Sequence, residues 1–427
     1  MRKSILFSVI LLFCAAAAQD GAYSWEQVLQ TAKTHSIDLQ IAREKIQQKE
    51  NDLASLRSAL LPQVGASLGL NTGASAGQDE ELLKQDPHFS ENARLSVQQQ
   101  VWDPQTSPKL KQGELAVETE KLNYEIAEIN LRLQLRQEFC ELLRTGQALE
   151  LARTVTARRR QQYELVELRY SGGLEHRGSL LTAKANLSKA EFSEKQLERR
   201  LERNRQQLAR TMGVSGNAEI IPDLSLRTDL SQRPDVRGLL ESSPTLKAIA
   251  ARLQNAGLNT AIARTAYIPS VYLSGSLSKG WSQSRTDGET VNGEDSSWSL
   301  GGSLSFDLYD GGKKNLAVAN AKSNEAIQEL ELSAGQRDTA LTLEKAWDNL
   351  LDARDSIHAA QEQLQATTER STIAAEQYAN GLISFDNWII IEDALVSAQQ
   401  QELSSKIDAL VQEANWLNAK GGNLDEI

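Results

Sequence analysis

The four histidines, His35, His88, His176 and His358, are scattered through a chain of 427 residues. None has the short-range partner spacing with which a zinc or other metal site is built. The stretch "DLYDGGKKN" (307–315) imitates a phosphate loop. It lacks the G-K-[ST] ending whose lysine and hydroxyl reach nucleotide phosphates and magnesium, and it reads as a tight turn between a strand and a helix. These residues call for no cofactor, no metal and no enzyme chemistry. The remaining chemistry is charge. Arg158, Arg159 and Arg160 form one basic cluster, and Arg199, Arg200 and Arg203 another. Such clusters on a helix read as a solvated face with intrahelical pairs to Glu198 and Glu202; interhelical ion pairs are the alternative. Asp386, Glu392 and Asp393 lie close to a Gly-containing turn. An acid there suits a helix N-terminus, with Asp386 as a capping residue.

Charge and composition narrow the class. The net charge of −11 argues against a nucleic-acid binder. Hydrophobic residues are 40% and aromatics 5%, lean for one large core and suited to long helices that bury narrow seams. Arg2 and Lys3, then "SILFSVILLF" and "CAAAAQ", have the layout of a secretory signal over residues 1–18, cleaved after Ala18. Cys14 as a lipid acceptor is the less favoured reading, because Phe13 stands where a small residue belongs. With Cys14 removed, Cys140 is the sole thiol, a small core residue within a helix. No later stretch has the roughly 20 consecutive apolar residues of a transmembrane helix.

The elements that position these residues are written twice. "HSIDLQIAREKIQQKENDLASLRSALLPQVGASLGL" from His35 parallels "SSPTLKAIAARLQNAGLNTAIARTAYIPSVYLSGSL" from Ser242. Pro62 matches Pro269, "QVWD" matches "DLYD", and "EFCELL" (138–143) matches "KAWDNL" (345–350). Tyr170-Ser-Gly-Gly-Leu174 matches Tyr378-Ala-Asn-Gly-Leu382. The separation stays near 207 residues throughout, which is a duplication of one large unit. The repeats are predicted over 35–212 and 242–419. Each holds a helix, two strands and a long helical hairpin, with turns near 171–178 and 379–386. Segments 19–34, 213–241 and 420–427 fall outside them.

The predicted strands are 62–71, 93–102, 269–281 and 298–309. In "PSVYLSGSLSKGW" (269–281) alternate residues from Val271 are mostly apolar, and the other set is mostly small and polar. Between Pro108 and Pro222 there is no proline. Leu115, Leu122, Ile126, Ile129, Leu133, Cys140 and Leu143 form a seam, with a second stripe at Leu131, Leu135, Leu142 and Leu149. Two stripes imply helical neighbours on both sides.

Four half-greasy strands of about ten residues cannot stand alone in a bilayer, where open edges leave backbone groups unpaired. A barrel shared between chains resolves this: two copies give eight strands and three give twelve. Trp102, Trp281, Trp298 and Tyr309 sit at the predicted strand ends, where an aromatic girdle belongs.

The order, the duplication and the two "Y-x-x-G-L" turns resemble the outer-membrane efflux protein family, the TolC-like channels. The resemblance covers essentially the whole mature chain. It implies a mainly α fold with a transmembrane β-barrel. A homotrimer would share a 12-stranded barrel in outer-membrane lipid and a long coiled-coil α-barrel closed at its far tip. It implies a passive duct with an inner-membrane transporter supplying energy through a periplasmic adaptor protein. The tip residues Gly172, Gly173, Leu174, Asn380, Gly381 and Leu382 would then meet the adaptor. Asp386, Glu392 and Asp393, repeated by symmetry, become gate candidates that bind cations, with Arg158 and Arg159 as pairs holding the tunnel shut. The sequence departs from the family at Asn387 and the apolar "WIII" (388–391), so a family gate does not transfer directly. A type I protein-secretion duct and, in another class, a soluble periplasmic coiled-coil scaffold are the alternatives.

Overall fold

A computed structural model describes residues 22–75, 86–222, 234–286, 289–422 and 424. The signal segment, Cys14 and parts of 19–34, 213–241 and 420–427 lie outside the described residues. The element order is α1 (Trp25–His35), α2 (Ile37–Ser58), β1 (Gln63–Ser75), β2 (Asp86–Trp102), α3 (Thr106–Ser171) and α4 (Arg177–Met212). It continues with α5 (Val236–Ser242), α6 (Pro244–Thr265), β3 (Ser270–Thr286), β4 (Glu289–Ser305), α7 (Lys313–Ala379) and α8 (Phe385–Ala419). The second six elements restate the first six. At 66 and 67 residues, α3 and α7 each run about 100 Å at 1.5 Å per residue. No helix among the described residues is long and apolar enough to cross a membrane.

The chain divides into two compact units. One comprises Met1–Arg43, Tyr124–Pro244 and Gln336–Ile427; the other comprises Glu44–Asn123 and Thr245–Gly335. In the first, Leu131, Leu135 and Leu142 of the second expected stripe of α3 are buried, with Cys140 and Leu143 of the seam, where α1 meets them. Leu131, Leu135, Phe139, Cys140, Leu142 and Leu143 pack with Trp25 and Val28 of α1, Leu208 and Met212 of α4, and Ile407 and Leu410 of α8. Ser24 and Gln27 start α1 with a reciprocal capping box. Tyr23 adds a parallel bridge to Ile220, tying the N-terminal segment to the chain beyond α4. The duplicate of this core joins Leu343, Trp347 and Leu350 of α7 to Trp416 of α8, under Val236, Leu239 and Leu240. Trp347 and Trp416 meet edge to face at 5.1 Å. Burial pushes the Cys140 thiol up to about 11, so it stays a protonated core residue.

In the second unit the four strands form one antiparallel sheet in the order β1-β2-β3-β4. They exceed the predicted lengths at their loop ends. Thr286 pairs with Glu289, and β2 begins at Asp86. Much of what reads as polar loop is strand, because a ladder satisfies backbone donors whatever the side chains are. At the helix end β4 stops at Ser305 rather than Tyr309, since its partner β3 begins opposite it at Ser270.

The register sorts the residues by face. Val64, Leu68, Leu95, Val97, Leu273, Leu277, Trp298 and Leu300 share one side. Gly65, Ser67, Arg94, Ser96, Ser274, Ser276, Ser278, Ser297 and Ser299 share the other. The apolar side is uncovered: Leu68 is 87% exposed and Trp298 and Leu300 are each 78% exposed. An apolar face this large and uncovered needs something besides water against it.

Candidate functional site: the helix-hairpin tips

Both hairpins end alike. At the first, Gly172 N–H donates to Leu168 O (3.0 Å), Gly173 N–H to Tyr170 O (3.0 Å) and Leu174 N–H to Arg169 O (2.8 Å). At the second, Asn380 N–H donates to Glu376 O (3.1 Å), Gly381 N–H to Tyr378 O (3.0 Å) and Leu382 N–H to Gln377 O (2.8 Å). Gly173 and Gly381 hold φ of +73° and +75°. This is the Schellman closure of a helix, and glycine adopts the left-handed conformation without a Cβ penalty. A leucine after such a glycine commonly covers the cap, but Leu174 and Leu382 are 71% and 73% exposed. Their apolar side chains are therefore free for a contact outside the chain.

Behind the turns lies a cluster centred on Tyr378. Its ring stacks on Trp388 at 4.4 Å and meets Phe385 edge to face at 6.2 Å. The Arg169 guanidinium stands 4.9 Å over the same ring and donates to Tyr378 O (3.3 Å) and Ala379 O (3.2 Å), the terminal carbonyls of α7. The Tyr378 hydroxyl donates to Glu175 Oε2 at 3.0 Å. Burial, then the bond to Glu175, hold the Tyr378 phenol well above its ordinary value. For Glu175 burial acts in the opposite sense, but hydrogen bonds from Ser179, the His176 N–H and Tyr378 outweigh it and hold its carboxyl low. The α3–α4 connection of one hairpin is thus bonded to the last helical turn of α7 in the other.

The gate candidates fall in two places. Asp386 is exposed in the first turn of α8 and is not its cap; Ser384 is, accepting from Asn387 N–H. A hydroxyl two residues earlier already fills the role expected of the carboxylate. Glu392 is buried (3% exposed) between three helices. It accepts from Gln162 of α3 at 2.9 Å and from Ser371 of α7, and it lies 3.8 Å from the Arg158 guanidinium. Arg159 bonds Asp393 and also Gln162. Arg158 and Arg159 therefore pair between helices, not along one. Arg160 and Arg200 depart from the intrahelical expectation likewise, while Glu202 does pair along its own helix, with Arg205. Arg160 pairs with Glu191, Arg200 with Glu141, and Glu198 with Arg153 on the facing helix. A cleft of about 510 Å³ opens beside this network, lined by Arg158, Gln162, Ser371, Trp388 and Glu392.

The four aromatic residues expected at strand ends do not all fall there. Trp102 does end β2, and a register shift there sets it opposite Val271. Trp281 and Trp298 are interior to β3 and β4, in register with Glu91 and Leu277 respectively. Tyr309 lies beyond β4. Past Trp298 the same face turns charged, with Lys279 bonded to Glu294 at 2.5 Å and lying 5.3 Å over the Trp281 ring.

Sequence reasoning missed Arg169, Glu175, Tyr378, Phe385 and Trp388. The signal was the tyrosine already inside the duplicated turn motif. It also missed that Gly73-Ala-Ser75-Ala-Gly77 has the G-x-S-x-G spacing. Gly73, Ala74 and Ser75 lie in the ladder with β2, not at the strand-to-helix elbow that such a nucleophile requires. The "DLYDGGKKN" turn is structural as read: the Asp310 carboxylate accepts from Gly312 N–H (3.0 Å) and Lys314 N–H (2.8 Å).

The comparisons follow this architecture. The family model described as outer membrane efflux protein matches residues 28–214 and again 236–422, one match to each repeat. The outer membrane protein TolC of Vibrio cholerae is 23% identical over 331 residues, 76% of this chain and 73% of its own. The outer membrane efflux protein BepC of Brucella suis is 22% identical over 98% of this chain and 90% of its own. Among solved structures, the outer-membrane channel OprN superposes with a TM-score of 0.77 at 18% identity, covering 94% of this chain and 90% of OprN. The CmeC outer membrane channel of Campylobacter jejuni gives 0.75 at 16% identity, covering 94% and 87%. With both repeats matched, the chain belongs to the outer membrane efflux protein family and is an outer-membrane efflux channel with the TolC-like fold.

Proposed function

We propose that three copies of this chain form one channel-tunnel, the exit duct of a tripartite efflux system. The observation that carries this is the four-stranded sheet with β1 and β4 as outer strands and one face apolar. In hydrocarbon every unpaired backbone group on those edges costs several kcal/mol, so β4 of one copy must pair with β1 of the next. Three copies give twelve strands. The small polar face, rich in serine and glycine, suits an open lumen. The apolar face meets lipid, with Trp102, Trp281, Trp298 and Tyr309 near the limits of its band. The mass of the purified protein in detergent, corrected for bound micelle, tests this. Three chains are expected; a single chain soluble without detergent overturns it.

In the hairpins, the exposed Leu174 and Leu382 beside hydrogen-bonded glycine turns support contact with a periplasmic adaptor that links the duct to an inner-membrane pump. Asp386, repeated by threefold symmetry, would place a carboxylate ring at the tip, where cations bind and anions are repelled. The pairs Arg158–Glu392 and Arg159–Asp393 would hold α8 against α3 in the closed tunnel.

A further inference from the structure

The polar face of the sheet carries very little charge. On the rows from Gln63 to Gly69 of β1 and their partners, it is serine, glycine, glutamine and asparagine, with one cation and one anion. The cation is Arg94. Its row reads Ser67, Arg94, Ser278, Ser297 across the four strands. Its guanidinium donates to Ser276 Oγ at 3.3 Å. Ser276 and Ser278 are in turn bonded to Ser299 and Ser297, at 2.9 and 2.8 Å. No carboxylate among the described residues forms an ion pair with Arg94, whereas Lys279 on the opposite face is neutralised by Glu294. The anion, Asp295, lies in the next row outward, opposite Gly280 and two strands from Arg94. That is too far for a pair, since adjacent strands are about 4.8 Å apart. Asp295 is also level with the charged end of the outer face, where the apolar band has finished. Arg94 stands beside the Leu95–Leu277–Trp298 row of that band.

We infer that Arg94 is a solute-selecting residue of the barrel: one uncompensated guanidinium per copy forms a positive ring that binds anionic groups in transit. This rests on the reading of the polar face as lumen. Twelve strands at about 4.8 Å spacing and about 40° tilt give a wall radius of roughly 12 Å. A long side chain pointing inward then comes within the physiological Debye length of about 8 Å from the axis, so the ring acts on anything that passes. A low-dielectric wall focuses that field, and the neighbouring serines offer hydrogen bonds but no competing charge. The favoured solute carries a carboxylate, sulfate or phosphate group, which a guanidinium can hold by two parallel hydrogen bonds.

The test is block of single-channel current by citrate added from the barrel side of a planar bilayer. Wild type is expected to show block that deepens with voltage driving the anion inward. Arg94→Ser, which makes its row all serine, is expected to weaken the apparent affinity about tenfold with trimer assembly intact. Absence of block in wild type, or equal block in Arg94→Ser, overturns the ring. The lumen reading is checked separately through Ser276→Cys, the native Cys140 being buried. Reaction with a charged thiol reagent that lowers conductance supports the lumen assignment. An unreactive Cys at 276 in an intact trimer removes the lumen assignment itself and with it the ring.

Discussion

At the scale of single residues, the tip separates what a side chain does for the fold from what it offers a partner. Gly173 and Gly381 serve the fold. Replacing either with alanine forces a left-handed alanine and should cost about 1 kcal/mol, measured as earlier thermal loss of the tip. Leu174 and Leu382 project into solvent, so Leu174→Asp and Leu382→Asp should change stability by less than about 0.5 kcal/mol. Together they should nonetheless abolish dye efflux in cells lacking their own channel, while the trimer still forms. Normal efflux in that double variant would remove the adaptor contact from these residues. The Glu175–Tyr378 bond adds a pH signature. The folded Glu175 carboxyl lies below its unfolded value of about 4.3, so its stabilisation is complete above that pH and is lost as pH falls through the folded value. Tyr378 is the converse: its contribution is complete below about pH 10 and is lost as pH rises through the higher folded value. Amide-exchange protection of the tip should therefore collapse in acid before that of the α1–α3 core. Tyr378→Phe, which removes one bond to Glu175, should move the acid onset upward. An onset unmoved by that variant would show that Glu175 is not what fastens the turns.

At the scale of elements, the buried Glu392 carboxylate ties α3, α7 and α8 through Gln162, Ser371 and Arg158. Glu392→Ala leaves those donors without their acceptor and should destabilise the hairpins by about 2 kcal/mol. If the same contacts hold the tunnel closed, Arg158→Ser with Arg159→Ser should raise single-channel conductance. Conductance equal to wild type would confine the network to a structural role. The helices and their turns were readable in the sequence because each carries its own cause: apolar stripes at helical spacing in α3, and glycine with leucine at each hairpin end. The partners of the charges were not. Arg159 and Asp393 are 234 residues apart, and nothing local to Arg159 distinguishes a partner on α8 from Glu198 or Glu202 nearby. The strand extensions escaped for another reason. Alternating hydrophobicity reports only the part of a strand that needs an apolar face, while backbone pairing continues past it. A local signal was present all the same: between the paired Thr286 and Glu289 stand Asp287 and Gly288, a residue pair favoured in two-residue hairpins.

At the scale of the whole molecule, the proposed assembly turns on which face of the sheet meets lipid, and adjacent residues of one strand can decide it. Leu300 and Ser299 are neighbours in β4 with side chains on opposite faces, and both are exposed in the single chain. If the apolar face is the outer wall of a barrel, Leu300→Arg puts a guanidinium into hydrocarbon and should cost about 2–4 kcal/mol per copy near the midplane, less towards the interface. Three copies multiply that penalty in one trimer, so folding into lipid vesicles should fail or slow sharply. Ser299→Arg adds the same side chain one residue earlier, on the serine face, where water solvates it. That variant should insert and assemble like wild type and change only what the pore conducts. Folding is read from the trimer band that survives unheated electrophoresis after refolding into vesicles. The lipid-facing assignment requires loss of that band for Leu300→Arg and its retention for Ser299→Arg. The reverse pattern would turn the sheet inside out. Equal tolerance of both would mean that neither face meets hydrocarbon, and the shared barrel would fall with the assignment.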